Sequence, residues 1–270
     1  MPASSLPRLG DADFRRLQQL MQQASGIRMA EQKRTLMAGR LMCRLRARQQ
    51  SDYGAYLRLI EQPAEEAERR LVVDLLTTNE TYFFREPQHF DILGDWAARQ
   101  ARPLRLWSAA ASSGQEAFSM AMTLAERCAA DWSILASDLS QRVLEKGRRA
   151  IYPMQQAANL PRGWLERHCL RGVEQSEGMF RIGQRLRERV EFSELNLVRE
   201  LPAELGRFDA IFLRNVLIYF SGEEKRGIVA RLLDSLAPGG LLFIGHAESL
   251  HGMNLPVRAV RPSVFERARS

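Results

Sequence analysis

One loop has the composition that a small-ligand site needs. It follows Leu104–Trp107, a short run of alternating apolar residues that predicts a strand. Residues 108–113 are all serine or alanine, Gly114 follows, and apolar residues then recur at helical spacing after Gln115. Small side chains let a ligand approach the backbone, and free N–H groups at the helix start can bind it. An ordinary strand-to-helix turn remains an alternative, because the loop has one glycine where a dinucleotide fingerprint has three.

Asp138 is a second candidate for ligand binding. It follows the predicted strand Ser133–Ser137 and lies 24 residues after Gly114. An acidic residue near this distance typically accepts hydrogen bonds from ribose hydroxyls. A carboxylate accepts two such bonds at once, which a neutral side chain does less well. Asp138 would also serve as the cap of the helix that follows, so the sequence leaves both interpretations open.

Further polar residues follow other predicted strands. Arg214 and Asn215 come directly after the apolar run Phe208–Leu213 and would point into a crevice at the end of a sheet. Asn196 follows another short strand pattern, and its amide can hydrogen-bond an adenine edge. An isolated asparagine is more often a turn residue, and this interpretation also stays open.

The elements that would position these residues alternate between strand and helix from Phe90 onward. Such alternation predicts an α/β fold with a mostly parallel sheet, helices on both faces and ligands beyond the carboxyl ends of the strands. The alternation lapses between Ile151 and about Val190, which predicts an inserted small β element. The predicted strands are Leu104–Trp107, Ser133–Ser137, Phe208–Leu213 and Leu241–Gly245, and the predicted helices are Gln115–Ala129, Ser140–Ala150 and Glu223–Leu236.

The N-terminal part of the chain predicts helices only, and one of them, Gln32–Gln50, is strongly basic. Arg40, Arg44 and Arg48 recur every four residues and share one helix face, with Arg46 nearby. Like charges at this spacing repel each other, and few acids lie near them in the sequence. The row is either a solvated face or a docking surface for carboxylates or phosphates, and we favour the docking surface.

A segment rich in both polar and aromatic residues, 77–87, separates these helices from the α/β part. Ordinary linkers are polar and poor in aromatic residues. This segment is suited to packing onto the protein while it presents polar side chains to a ligand. Its aromatic residues would in part also hold the two domains together.

Composition argues against several classes of protein. The chain has no apolar run near 18 residues and no charged-then-apolar leader, so we expect a cytoplasmic protein. The three cysteines lie far apart and the four histidines have no metal-ligand spacing, so we expect neither a disulfide framework nor a bound metal. The net charge of +7 indicates an acidic partner: nucleic acid, an anionic membrane or an acidic protein surface.

Several motifs occur in a fixed order between about residues 11 and 267. They are Asn79-x-Thr81-x-x-Phe84-Arg85-Glu86, Trp107-Ser108-Ala109-Ala110 with Gly114-x-Glu116, Asp138, Asn196-Leu197, Arg214-Asn215-Val216-Leu217-Ile218-Tyr219-Phe220 and Gly245-His246-x-Glu248-Ser249. In this order they resemble the chemotaxis receptor glutamate methyltransferases, the CheR family. The chain departs from the usual family pattern in the loop, at Ala111, Ser113, Gln115, Ala117 and Phe118.

The resemblance implies a Rossmann-like methyltransferase domain of the α/β class with an inserted small β-subdomain, preceded by a small all-helical domain. The expected boundaries are a disordered tail at 1–10, a helical receptor-docking domain at 11–76, a linker at 77–89 that contributes to the cofactor site, and the methyltransferase domain at 90–270, with the β-subdomain at about 151–192.

The resemblance also implies methyl transfer from S-adenosylmethionine to glutamate side chains of chemoreceptors. The products would be glutamate methyl esters, which serve sensory adaptation, and S-adenosylhomocysteine. The expected cofactor contacts are Asn79, Thr81, Arg85, Glu116, Asp138, Asn196, Leu197, Asn215 and Val216.

The partner implied by the resemblance is the acidic methylation region of a receptor's cytoplasmic helical bundle. Arg40, Arg44, Arg46 and Arg48 would meet it. Some members of the family also bind a tethering peptide at the receptor C terminus. We expect a monomer that does not bind nucleic acid and does not insert into a membrane.

Two residues are expected to act in the transfer. Arg85 can bind the cofactor carboxylate through two parallel hydrogen bonds. Tyr219 orients the incoming carboxylate in one interpretation and is a packing residue in the other. A strong base is not needed, because a glutamate carboxylate is already ionised at neutral pH. A closed, water-poor pocket would favour a reaction between oppositely charged groups.

Three alternatives share some of these features. A nucleic-acid methyltransferase would fit the positive charge, but such enzymes often carry an Asp/Asn-Pro-Pro-aromatic motif where this chain has Asn215–Ile218. A non-catalytic module that binds the cofactor as a signal would keep the same residues. A methyltransferase that acts on a receptor outside motility would also match the sequence.

Overall fold

The computed structural model describes residues 7–268, which form two compact units. The helical unit comprises the described residues up to Thr78 together with Tyr219–Ser221. The sheet unit comprises Asn79–Ile218 and the described residues from Gly222 onward. Most of the expected tail lies outside the described residues, and Leu9, at its described end, is buried. Within residues 7–268, no helix has the length and apolar character needed to cross a membrane.

The helical unit is built from helices whose apolar residues recur every three or four positions. Phe14, Leu17 and Met21 form the buried face of the first helix, and Gly26, with a φ of 70°, ends it. The helices are α1 (Asp11–Ser25), α2 (Arg34–Ala47), α3 (Tyr53–Ile60) and α4 (Glu66–Leu76).

Two of the four arginines, Arg44 of α2 and Arg48 just after it, pair with acids at the start of α4, so the row is less free than its local sequence indicates. Arg44 donates two hydrogen bonds to the Glu68 carboxylate, at 2.9 and 2.6 Å. Arg48 donates to both Glu65 and Glu68. These acids lie 17 to 24 residues from their arginines in the sequence, so the charges close to the arginines in the sequence do not include them.

Arg40 fixes the other end of the same helix pair. Its guanidinium donates to the backbone carbonyls of Leu75, Leu76 and Thr77, at the C-terminal end of α4. The last carbonyls of a helix lack donors within the helix and carry its negative dipole end, so a cation is favoured there. Arg46 differs, because it is exposed and its side chain makes no ion pair with another described residue.

The Glu68 carboxylate is the polar centre of this unit, and we expect Glu68→Gln to be strongly destabilising. Glu68 is 4% exposed and also accepts a hydrogen bond from the Tyr56 hydroxyl. Burial alone would raise the pKa of Glu68, but its hydrogen bonds and Arg44 lower it overall. Glu68→Gln should lower the free energy of unfolding of the helical unit by about 3 kcal/mol, because Arg44 loses its charge partner.

The measurement is urea unfolding of the full chain followed by circular dichroism. The matched control is Glu66→Gln, which removes an exposed pair with Arg70 on the same helix and should cost less than about 0.5 kcal/mol. Equal costs for the two variants would contradict the assigned role of Glu68.

The sheet unit alternates strands and helices, as the sequence pattern predicts. Its strands are β1 (Leu104–Ser108), β2 (Trp132–Asp138), β3 (Ile151–Pro153), β4 (Cys169–Arg171), β5 (Met179–Ile182), β6 (Val190–Glu194), β7 (Phe208–Leu213), β8 (Leu236–Ile244), β9 (Val257–Arg261) and β10 (Val264–Arg267). Its helices are α5 (Gln88–Ala97), α6 (Gln115–Arg127), α7 (Gln141–Arg149), α8 (Trp164–His168), α9 (Gln184–Arg187) and α10 (Gly222–Ser235).

The large sheet has the strand order β6-β2-β1-β7-β8-β10-β9. The first five strands in this order are parallel, β10 runs antiparallel to β8, and β9 runs antiparallel to β10. The chain moves outward from β1 to β2 and β6 and then returns to β7 on the other side of β1. This reversal opens a crevice at the carboxyl ends of β1 and β7, as in Rossmann-like folds, and confirms the expected fold class.

A separate antiparallel sheet, in the order β3-β5-β4, forms the inserted β element. The insertion was expected to extend to about residue 192. Its last part, β6, belongs instead to the large sheet, because β6 pairs in parallel with β2 at the edge of that sheet. Val190 of β6 is buried and lies opposite Ile134 of β2 in this pairing. The small sheet therefore ends at Ile182.

Candidate active site

The small-residue loop after β1 is fixed to the strands on both sides of it. The Ala109 N–H donates to the Phe212 carbonyl of β7, and the Ala111 N–H donates to the Ser137 carbonyl of β2, both at 2.8 Å. The loop therefore lies across the carboxyl ends of three neighbouring strands. Its backbone is held before any ligand arrives.

Gly114 is required where this loop becomes α6. Its φ is 93°, a value that side chains disfavour. A Cβ atom there would lie 3.0 Å from the Phe192 ring and 3.0 Å from the Tyr152 hydroxyl. That hydroxyl donates to the Ser113 carbonyl at 2.7 Å, so the inserted β element helps to hold the loop.

Asp138 faces the same loop from the end of β2. Its carboxylate accepts the Ser112 N–H at 2.9 Å and the Ser140 N–H at 3.0 Å. The cap of α7 is Ser140, whose hydroxyl accepts the Val143 N–H. Asp138 therefore contacts both the loop and the start of α7, and the ligand-binding and capping interpretations both stay open.

A buried ion network lies beneath the crevice. Arg214, at the end of β7, has a side chain that is 1% exposed and donates to Glu116 at 3.0 Å and to Glu86 at 2.9 Å. Arg214 also donates to the Arg85 carbonyl, and the Ser108 hydroxyl donates to Glu116 at 2.7 Å. The network joins the linker, β1, α6 and β7, and we name it the Arg214 network. The network thus sets two carboxyl groups against one guanidinium.

The pKa values of the two carboxyl groups in the network shift in opposite directions. Burial raises the pKa of Glu116 above its ordinary value, and Arg214 offsets only part of this effect. Burial also acts to raise the pKa of Glu86, but hydrogen bonds from Arg214, Asn215 and the His246 N–H lower it to about 2. Glu86 is therefore ionised throughout the physiological range.

Asn215 connects the network to the turn after β8. Its side-chain amide donates to Glu86 at 3.2 Å, and its backbone has a φ of 57°. The Glu248 carboxylate, which the sequence motifs contain without an assigned role, accepts the backbone N–H groups of Asn215, Leu217 and Gly245. The half-buried Val216 lies between two of these bonds.

Asn196 and Leu197 form a turn after β6. The Asn196 side-chain oxygen accepts the Val198 N–H at 3.2 Å, which confirms the turn interpretation. The Leu197 carbonyl accepts two hydrogen bonds from the Arg231 guanidinium of α10, at 2.7 and 3.2 Å. A residue outside the expected site thus fixes this turn, and sequence spacing gave no sign of it.

The linker residues from Asn79 onward lie in the sheet unit. The Asn79 carbonyl accepts from the Ser112 hydroxyl at 3.2 Å, and Thr81 is half-buried. The Arg85 guanidinium donates to the Glu80 carbonyl at 3.1 Å and lies 5.7 Å from the centre of the Tyr82 ring. Phe83 and Phe84 are buried in the core of this unit, whereas Tyr82 is exposed.

Tyr219 is grouped with the helical unit. Its carbonyl accepts the Arg28 N–H at 3.1 Å, and the Lys33 ammonium lies 4.8 Å from the centre of its ring. These contacts concern its backbone and ring face, and the role of its hydroxyl stays a prediction.

Glu86, His89 and His246 come together although the sequence shows no metal-ligand spacing, with potential ligand atoms within 4.8 Å of one another. Arg214 already donates to the Glu86 carboxylate at 2.9 Å, and a cation placed there would face that guanidinium. Burial and Arg214 lower the pKa of His89 to about 4, so this imidazole is neutral near pH 7.

The arrangement fits a nucleoside. A loop of small residues admits close approach, and Asp138 lies at the end of β2, where a carboxylate can accept hydrogen bonds from ribose hydroxyls. The fold and this site are suited to a nucleoside cofactor.

Comparison with known proteins identifies the family. The family model described as the CheR methyltransferase SAM-binding domain matches residues 79–264, and the CheR all-alpha domain matches residues 12–77. The chain therefore belongs to the CheR methyltransferase family. Its cofactor is S-adenosylmethionine, with S-adenosylhomocysteine as product, and its function is methylation in chemotaxis.

Similar relatives cover nearly the whole chain. The chemotaxis protein methyltransferase of Escherichia coli is 43% identical over 244 residues, which are 89% of this chain and 85% of the relative. That of Salmonella typhimurium is 43% identical over 248 residues, with 91% and 86% covered. Chemotaxis protein methyltransferase 2 of Pseudomonas aeruginosa is 38% identical over 263 residues, with 95% and 93% covered.

The low pKa of Glu86 predicts a specific loss of stability in acid. Because this pKa falls from 4.5 to about 2 on folding, the stabilisation is complete above pH 4.5 and is lost as the pH falls towards 2. The shift corresponds to about 3 kcal/mol. Urea unfolding between pH 5 and 2.5 should therefore show a flatter pH dependence in Glu86→Gln than in the wild type.

The exposed Glu145 of α7 supplies the control for this prediction. Glu145→Gln should keep the wild-type pH dependence, because an exposed carboxylate has little interaction to lose on protonation. An unchanged slope in Glu86→Gln would show that Glu86 is not held ionised by the Arg214 network.

Proposed function

We propose that this chain transfers the methyl group of S-adenosylmethionine to glutamate side chains of chemoreceptors, forming glutamate methyl esters. The observation that carries the proposal is the Arg214 network, which joins the linker to α6 and to the end of β7 beneath the crevice. Membership of the CheR family supports the receptor as partner, since the relatives are chemotaxis protein methyltransferases. The proposed place of action is the cytoplasm, with the protein as a monomer.

The cofactor would be held by residues of five segments: the linker, the start of α6, the end of β2 and the turns after β6 and β7. Asp138 would accept the ribose hydroxyls beside Ser112, and the half-buried Arg85 would bind the cofactor carboxylate through two hydrogen bonds. When bound, the cofactor supplies an electrophilic methyl group on a sulfonium. The proposed contacts are Asn79, Thr81, Arg85, Glu116, Asp138, Asn196, Leu197, Asn215 and Val216.

The protein needs to supply position rather than a base. The receptor glutamate is ionised near pH 7, so no residue has to remove a proton from it. Glu86 is kept ionised and tied to Arg214, so neither group is free to exchange a proton with the substrate. What remains is alignment of two reactants in a water-poor site, which accounts for large rate accelerations.

The decisive experiment is mass spectrometry of receptor cytoplasmic fragments after incubation with the protein and S-adenosylmethionine. We expect methyl groups on glutamate side chains, and Asp138→Ala should abolish them at limiting cofactor. Binding of S-adenosylhomocysteine without any methyl transfer would favour the non-catalytic alternative. Methylation only of a receptor unrelated to motility would favour a methyltransferase that acts outside chemotaxis.

Tyr219 is proposed to orient the receptor carboxylate through its hydroxyl. Tyr219→Phe should lower kcat about tenfold or more, while the Kd for S-adenosylhomocysteine stays within about twofold, because the ring and its contact with Lys33 are kept. Radiolabel transfer and calorimetry measure the two quantities. Unchanged turnover would leave Tyr219 with a packing role only.

The receptor-docking surface is proposed to include Arg40, Arg44, Arg46 and Arg48, and the structure divides them by exposure. The first, second and fourth are partly engaged within the helical unit, whereas Arg46 is exposed. Arg46→Glu should therefore raise the KM for the receptor about tenfold without changing the unfolding free energy, since only the intermolecular attraction is reversed.

Arg44→Ala is the contrasting variant, because it breaks the pair with the buried Glu68 and should destabilise the helical unit. Initial-rate assays at several ionic strengths measure the electrostatic contribution to the receptor KM, because salt screens the attraction between exposed charges. A receptor KM that Arg46→Glu leaves unchanged would contradict docking through this face.

A receptor tethering peptide would bind at the small sheet. Its strand β4 lies at an edge, and Leu170 and the following Val173 are 61% and 73% exposed, although large apolar side chains are usually covered. We include this peptide in the proposed set of partners.

A further inference from the structure

The carboxylate of Glu248 joins two turns at the carboxyl edge of the large sheet. Its Oε2 accepts the N–H of Asn215 at 2.9 Å and that of Gly245 at 2.7 Å. Its Oε1 accepts the N–H of Leu217 at 2.7 Å. Three backbone donors from the turns after β7 and β8 therefore converge on one side chain.

These bonds act on a residue in the left-handed backbone region. Asn215 has a φ of 57°, which most residues with a side chain rarely adopt and which asparagine adopts more readily than the others. The surrounding contacts must outweigh this preference if the turn is to have one structure. The amide of its side chain has one such contact, with Glu86, and its backbone N–H has the other, with Glu248.

The two turns also fit closely. A Cβ atom on Gly245 would lie 2.5 Å from the Asn215 side-chain nitrogen and 2.9 Å from both the Asn215 backbone nitrogen and a Glu248 carboxylate oxygen. Glycine is thus needed for this approach, and the carboxylate of Glu248 fills the space between the turns.

We propose that Glu248 is a positioning residue for cofactor binding, which it supports by holding Asn215 and the adjoining Val216 in the conformation that faces the crevice. Glu248 acts through Asn215 and makes no contact with the cofactor itself. The inference rests on the proposed cofactor contact of Asn215, and it adds a residue that carries no substrate or cofactor role in that proposal.

A carboxylate is needed here because all three partners are donors. In Glu248→Gln one oxygen becomes an NH2 group, which would face a backbone N–H and cannot accept from it. The variant keeps the shape of the side chain, so packing between the turns is preserved while at least one of the three bonds is lost.

The test compares Glu248→Gln, Asn215→Gly and the double variant. Calorimetry gives the Kd for S-adenosylhomocysteine, and initial rates give KM for S-adenosylmethionine and kcat. Glu248→Gln should raise Kd and KM about tenfold and leave kcat at saturating cofactor within about twofold. The control Glu145→Gln, on the exposed side of α7, should leave all three quantities unchanged.

The double variant separates positioning from a general loss of stability. If Glu248 acts through Asn215, then adding Glu248→Gln to Asn215→Gly should weaken binding by less than threefold further. If the fold-increase in Kd of the double variant equals the product of the two single increases, the proposal is overturned. It is also overturned if Glu248→Gln leaves Kd within twofold of the wild type although Asn215→Gly weakens binding.

Failure of the underlying proposal has a different signature. If Asn215→Gly alone leaves the Kd unchanged, Asn215 does not contact the cofactor, and the role given to Glu248 falls with it. Hydrogen exchange provides a second measurement that does not depend on activity: the amides of Asn215, Leu217 and Gly245 should exchange faster in Glu248→Gln. Unchanged exchange at all three amides would also overturn the proposal.

Discussion

The sheet unit depends on one shared guanidinium. Arg214 is buried at the end of β7 and pairs with carboxylates from the linker and from the first turn of α6. A buried charge is costly unless it is paired and fully hydrogen-bonded, so these elements must stay together for the unit to fold. The same pairing determines where the linker enters the crevice, because Arg214 also holds the Arg85 carbonyl.

Three of the segments that carry proposed cofactor contacts are held by residues that are not themselves such contacts. Arg214 fixes the linker, Arg231 fixes the turn of Leu197, and Glu248 fixes the turn of Asn215. Charged side chains that bond to backbone groups are well suited to this task, because they form stronger hydrogen bonds than neutral ones. The helical unit uses the same device, with Arg40 on the carbonyls at the end of α4.

The sequence was informative where a pattern is local. Alternating apolar runs predicted β1, β2, β7 and the helices around them, and the loop before Gly114 was found from its small residues alone. It was misleading where the answer depended on partners distant in the sequence. The acids that neutralise Arg44 and Arg48 lie on another helix, and β6 joins an edge that periodicity cannot identify. Glu248 stood in a recognised motif, but its role requires knowing that the turns after β7 and β8 are adjacent.

The most direct test of the central claim is a crystal structure of the protein with S-adenosylhomocysteine. The account predicts that the nucleoside lies over the loop before Gly114, with its ribose hydroxyls on Asp138 and the Arg214 network intact beneath it. A ligand bound away from the carboxyl ends of β1 and β2, or an Arg214 side chain that leaves Glu86 and Glu116 to bind the ligand, would contradict it.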